Sequence, residues 1–156
     1  MKIKLIKFRD DLIKPVRSHY NDAGIDCFAQ DDFDLYSAFK HKEIDITGRE
    51  IVSNQATMIP LGFGLDIPDG YEVTLRPRSS MNAKGIITQF GTIDSGYKGE
   101  IKAIFINLTN GIYHFKRGDK ICQLVMTPVV IADFVDELGE ERGEGGFGST
   151  DVKETK

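Results

Sequence analysis

Residues 91–100, GTIDSGYKGE, set the carboxylate of Asp94 and the phenol of Tyr97 among three glycines. Asp94, where a strand runs into a turn, could act as a general base on water, and Tyr97 could stand flat against a sugar. Asp-Ser-Gly is equally a plain turn former. Residues 76–80, Arg-Pro-Arg-Ser-Ser, bring guanidinium groups, two hydroxyls and backbone N–H groups to a strand-to-helix junction. They could converge on one anion, or cap a helix beneath exposed arginines. Asp22 and Asp26, in Asn-Asp-Ala-Gly-Ile-Asp, could hold a hydrated Mg²⁺, an ion that keeps several waters, or could only close a turn. In residues 142–150, RGEGGFGST, four glycines surround Phe147. Glycine amides approach phosphate closely, Arg142 adds a charged fork and Phe147 a stacking face for a base; the same composition also describes a solvated C-terminus. Each stretch alone is ambiguous. Their presence together in 156 residues favours chemistry on a phosphorylated molecule that carries a base.

Such groups need a scaffold. Apolar residues recur with period two at Ile3 and Leu5, at Tyr71, Val73 and Leu75, and at Ile101, Ala103 and Phe105. Turn formers separate the runs, as in Pro68-Asp69-Gly70 and Lys116-Arg117-Gly118-Asp119, and no 3.6-residue period is sustained. This predicts an all-β sandwich, jelly roll or barrel of many short strands. The N-terminus MKIKLIKFRDDLIK reads as the first strand, since it lacks the uninterrupted apolar stretch of a secretion signal. One short helix is expected over residues 79–85, capped by a serine and ended by Gly85 in the left-handed conformation. Residues 31–56, rich in charge, read as a long connection or an added hairpin. The expected organisation is one domain over residues 1–141, followed by a flexible glycine-rich arm over 142–156.

Composition narrows the function classes. A net charge of −4 gives no broad attraction to nucleic acid, so any phosphate contact must be local. No apolar run approaches the ~18 residues of a membrane span. Cys27 and Cys122 lie in alternating apolar segments without metal-ligand spacing, which reads as reduced core thiols and a cytoplasmic protein.

The ordered set AGID, PRSS, GTIDSGYKG, GDKICQL and RGEGGFGST, spanning residues 23–150, closely resembles the five motifs of the homotrimeric deoxyuridine triphosphatases. The resemblance implies a jelly-roll-like β-barrel with one short helix, whose C-terminal arm crosses to a neighbouring subunit. It also implies Mg²⁺-assisted hydrolysis of dUTP to dUMP and pyrophosphate at active sites shared between subunits. By resemblance Asp94 is the base that activates water for attack on the α-phosphorus. Tyr97 lies against the deoxyribose, leaving no room for a 2′-hydroxyl, and Gly99 lets the hairpin open around uracil. Arg78, Ser79, Ser80 and Gln123 resemble triphosphate contacts, Gln89 and Ile93 further substrate contacts, and Asp26 the carboxylate that holds Mg²⁺ through water. Arg142, Phe147, Gly148 and Ser149 resemble arm residues that clasp phosphate and cover the base.

The chain departs from that pattern at four places. Residues 31 to about 55 exceed the usual connection and could form a rim hairpin or a surface for a protein partner. Lys120 stands where arginine is common, Asp151 where glycine usually follows, and the short run from Lys84 to Asp94 puts sugar contacts by Thr88 and Gln89 in question. Two rivals stand beside the hydrolase. A deoxycytidine triphosphate deaminase would carry a glutamate where Ile104 stands, and isoleucine cannot shuttle protons. A catalytically weak, dUTP-gated regulatory or binding protein is the other.

Overall fold

The computed structural model describes residues 1–39, 43–44, 50–51 and 56–136, so the arm residues Arg142, Phe147, Gly148 and Ser149, and Asp151, lie outside the described residues. The first strands along the chain are β1 (Lys4–Lys7), β2 (Ile25–Phe28), β3 (Phe33–Leu35), β4 (Glu43–Ile44), β5 (Glu50–Ile51), β6 (Thr57–Pro60), β7 (Phe63–Asp66) and β8 (Tyr71–Arg76). After the helix α1 (Ser79–Asn82) come β9 (Ile86–Thr88), β10 (Gly91–Ile93), β11 (Lys102–Asn107), β12 (Tyr113–Phe115) and β13 (Lys120–Pro128).

Two sheets carry the site. One runs β10-β8-β13-β2 and the other β6-β11-β9; the pairs β1-β7 and β12-β3 extend the β shell, and all strand pairing is antiparallel. The period-two residues point inward as their alternation requires: Val73 and Leu75 from one sheet meet Ala103, Phe105 and Ile86 from the other in a single core. Phe33, Phe105 and Phe115 close one end, Phe33 and Phe115 stacking at 4.6 Å between centroids. Asn107, fully buried in this region, is satisfied, donating to the carbonyls of Leu35 and Gly111 and accepting the N–H of Thr109. The architecture is the expected all-β, jelly-roll-like one, with a single short helix among the described residues.

Two local expectations change. Residues 33–35 lie inside the segment read as a connection or hairpin, yet they form β3 in register with β12, Phe33 opposite Phe115; burial of Leu35 and the Phe33 ring stack outweigh the acidic surroundings. Further along, β4 and β5 pair with each other. The helix, in turn, is not capped by a serine. Arg78 occupies the cap position in an extended conformation without a side-chain cap bond, since a guanidinium has no acceptor to offer the first N–H groups, and Ser79 and Ser80 are left exposed in the first turn. Gly85 does end the turn with φ +78°, and Gly70 and Gly118 have φ of +79° and +90° in the expected turns.

Cys27 and Cys122 face each other across β2 and β13, both fully buried and free. The neighbouring Cys122 thiol and burial push the Cys27 thiol well above its ordinary range. Both side chains are closed off from solvent, so neither cysteine should react with iodoacetamide in the folded protein at neutral pH, while both should react in urea. Mass spectrometry after each treatment checks this, and rapid native labelling would contradict the packing described here.

Candidate active site

A cavity of about 340 Å³ is lined by Ser18, Asp22, Ala23, Gly24, Asp26, Arg78, Ser79, Ser80 and Gln123. It gathers the carboxylate, guanidinium and hydroxyl groups singled out above from four elements: the loop before β2, β2 itself, the end of β8 with the start of α1, and β13. Antiparallel register does the gathering, since Asp26 stands opposite Gln123 and Gln123 opposite Arg76. Asp26 is the hub. Its Oδ1 lies 3.1 Å from Arg78 Nε, and its Oδ2 lies 2.7 Å from Lys120 Nζ and accepts the Ser18 hydroxyl at 2.9 Å. Burial pushes the Asp26 carboxyl up, but the bonds from Lys120 and Ser18 and the charge of Arg78 outweigh it and hold the group below its ordinary range. Arg78 also donates to the Lys120 carbonyl at 3.0 Å. Lys120, where arginine is common, thus makes single-point contacts to Asp26 and to Ser18. Gln123 donates to the Pro77 carbonyl at 2.9 Å and packs so tightly on Gly24 that a Cβ there would fall 2.1 Å from its Oε1.

A second cavity, of about 330 Å³, is lined by Met58, Leu75, Gly91, Thr92, Ile93, Asp94, Tyr97, Glu100, Ile101 and Lys102. It opens where the edge strand β10 of one sheet passes β11 and β6 of the other. β10 pairs with β8 while β11, which follows the stretch, pairs with β6 and β9, so the strands on either side of the turn over residues 94–101 belong to different sheets and the hairpin is splayed. Asp94 is exposed just beyond β10, and the N–H of Tyr97 closes the turn on the Asp94 carbonyl at 3.0 Å. The Tyr97 hydroxyl donates to the Glu100 carbonyl at 2.9 Å. Its ring folds over Gly99, where a Cβ would sit 2.6 Å from the phenol oxygen. Gly99 therefore works beneath the ring and is not a lining residue.

The remaining sequence-derived residues divide. Ile93 is buried and forms the wall of the second cavity, whereas Gln89 lines neither cavity and its N–H bonds the Ile104 carbonyl at 2.8 Å. Thr88 turns into the core at 1% exposure, which rules out the sugar contact considered for it. Met58, Glu100 and Lys102 were not anticipated; β11 and β6 bring them to the cavity, and only the pairing of those strands reveals it. Ser18 was missed as well, its only signal being its place upstream of Asp26.

The two cavities lie at opposite corners of one sheet. Continuing the register puts Asp94 level with Glu72, four residues along and three strands across from Asp26, which at ~3.4 Å per residue and ~4.8 Å per strand is roughly 20 Å. Metal-ligand chemistry is correspondingly sparse, for among the described residues no group of three or more His, Cys, Asp or Glu could hold an ion alone. Asp22 and Asp26 are the two carboxylates of the first cavity, and Asp22 is already accepting the His19 N–H at 2.8 Å.

A family model described as dUTPase matches residues 11–151. The deoxyuridine 5′-triphosphate nucleotidohydrolase of Wolbachia sp. subsp. Brugia malayi (strain TRS) is 42% identical over 146 residues, covering 85% of this chain and 88% of its own. Among solved structures, a variant of the Staphylococcus bacteriophage 80alpha dUTPase with dUpNHpp superposes with a TM-score of 0.76 at 24% identity, over 97% of this chain and 99% of that one. A variant of the dUTPase from phage phi11 of S. aureus, described with a structural Mg(II) ion, gives a TM-score of 0.71 at 22% identity over 90% and 98%.

Proposed function

The chain belongs to the dUTPase family and hydrolyses dUTP to dUMP and pyrophosphate, and we propose that it does so at composite sites, each combining Asp94 of one subunit with the Asp26–Arg78 cavity of another. The observation that carries this reading is the separation of the two cavities. A base and the phosphate it serves must bring reacting atoms to ~3–3.5 Å, and roughly 20 Å within one chain is far too long. A closed ring of identical subunits brings one corner of the sheet against the other corner of its neighbour. The assembly is a homotrimer, and the arm residues Arg142, Phe147, Gly148 and Ser149 close each site from a further subunit.

The chemistry follows from the groups present. Asp94 takes a proton from a water whose oxygen bonds the α-phosphorus; the bond from that phosphorus to the bridging oxygen breaks, and pyrophosphate leaves. Arg78, Ser79, Ser80 and Gln123 hold the triphosphate, Arg78 by a charge-assisted fork and the serines by hydroxyls left free at the start of α1. The donor set suits Mg²⁺ bound mainly by the triphosphate, with Asp26 reached through water; the ion would neutralise phosphate charge. Uracil enters the splayed hairpin against Ile93, and Tyr97 lies against the deoxyribose, where it excludes a 2′-hydroxyl. Gln89 is a further contact through its side chain, which is exposed. Two buried thiols suit a reducing compartment, and the reading places the enzyme in the cytoplasm.

Pyrophosphate release with Mg²⁺ from dUTP, UTP, dCTP and dTTP tests this directly. Turnover of dUTP alone is expected, and binding of dUTP without cleavage would overturn the reading in favour of a nucleotide-gated module.

A further inference from the structure

We propose that Glu100 is a positioning residue that fixes the Tyr97 ring and thereby sets the rejection of ribonucleotides; the inference rests on the placement of Tyr97 against the sugar given above. Tyr97 is 46% exposed, so packing alone does not immobilise it. Two features hold the ring. The missing side chain at Gly99 lets it fold back, and its hydroxyl donates to the Glu100 carbonyl at 2.9 Å. The orientation of the phenol thus depends on where that carbonyl points.

Glu100 fixes its own carbonyl by reaching the other way. Its Oε1 accepts the N–H of Gly62 at 2.9 Å, in the turn between β6 and β7 where Gly62 has φ +77°. On either side the backbone is already paired, Leu61 N–H to the Ile101 carbonyl and Ile101 N–H to the Phe63 carbonyl, both at 2.9 Å. The carboxylate supplies the Gly62 N–H with the acceptor that this backbone pairing leaves it without, and a buried or half-buried donor without a partner is costly. Residue 100 is therefore gripped at two points, by its side chain on Gly62 and by its carbonyl under Tyr97. A second tether, Lys98 to Asp66 and to the Ser95 carbonyl, holds the same loop to β7 but touches neither the phenol nor the sugar side of the cavity.

A hydroxyl added to the ribose needs little more than an ångström of clearance, so a small swing of the ring decides whether UTP fits. Losing the grip on Gly62 should widen the site for UTP more than it harms dUTP. The measurement is the ratio of kcat/KM for dUTP over UTP in Glu100→Ala, Glu100→Gln, Tyr97→Phe and Tyr97→Ala. Glu100→Ala and Tyr97→Phe are each expected to lower the ratio about tenfold or more, and together no further than either alone, because both cut one chain of contacts. Glu100→Gln keeps an acceptor for Gly62 and should retain the wild-type ratio. An unchanged ratio in Glu100→Ala beside a collapsed one in Tyr97→Ala would overturn the role of Glu100 alone. Equal losses in Glu100→Gln and Glu100→Ala would also overturn it, by showing that the charge matters and the grip does not. If Tyr97→Ala leaves the ratio intact, the sugar assignment fails and this inference with it. A thermal melt of Glu100→Ala separates misfolding from mispositioning, and the folded Glu100→Gln variant keeps the test valid if the alanine variant melts early.

Discussion

Asp94→Asn should lower kcat for dUTP by about 10²- to 10⁴-fold, the range a positioned general base contributes, and leave binding of dUpNHpp close to wild type. The carboxylates near the two cavities differ in a way that selects this one. Asp26 is committed, with Arg78, Lys120 and Ser18 on its two oxygens, and a carboxylate so held is a poor acceptor for a further proton. Asp22 is taken up by the His19 N–H, and Glu100 by Gly62. Among the described residues, nothing hydrogen-bonds the Asp94 side chain; it stands exposed at the mouth of its cavity, free to orient a water. Asparagine keeps the shape and one acceptor oxygen but cannot take the proton. Pyrophosphate release and calorimetric titration with dUpNHpp give the two quantities. A variant that retains more than a tenth of wild-type kcat would remove Asp94 from the role of base, and a parallel loss of binding would make it a contact residue instead.

The sequence made the chemistry legible where it was local and left hidden what depends on pairing between distant segments. Alternation of apolar residues located β8 and β11, and Gly70, Gly85 and Gly118 occupy the left-handed positions that turn chemistry demands. Asp26, Arg78, Ser79, Ser80 and Gln123 line one cavity because strand register aligns motifs far apart in the chain. The sequence could not show that Lys120 and Ser18 would share Asp26, or that Glu100 would reach Gly62, for those contacts arise only when β2 meets β13 and the loop after β10 meets the β6–β7 turn. β3 escaped notice because three residues are too few to display a period, and its stability comes from Phe33 stacking on Phe115. Thr88 failed as a sugar contact for the same reason in reverse: strand alternation puts it inside, opposite Phe105.

Subunit mixing gives the second large effect. Arg78→Ala removes the fork of the phosphate cavity and loosens Asp26, so this variant, like Asp94→Asn, should be nearly inactive by itself. If each site takes its base from one chain and its cradle from another, co-refolding equal amounts of the two inactive variants must create sites that draw Asp94 from an Arg78→Ala chain and Arg78 from an Asp94→Asn chain. Random assembly yields such sites in roughly a quarter of cases, and about that fraction of wild-type turnover should return. Sites confined to one chain would recover nothing. The converse mixture sharpens the test: wild type co-refolded with the Asp94→Asn, Arg78→Ala double variant keeps roughly a quarter of its sites when they are shared, and roughly half when they are not. The roughly 20 Å between the corners of the sheet is the reason the shared outcome is expected for a base and a phosphate that have to meet.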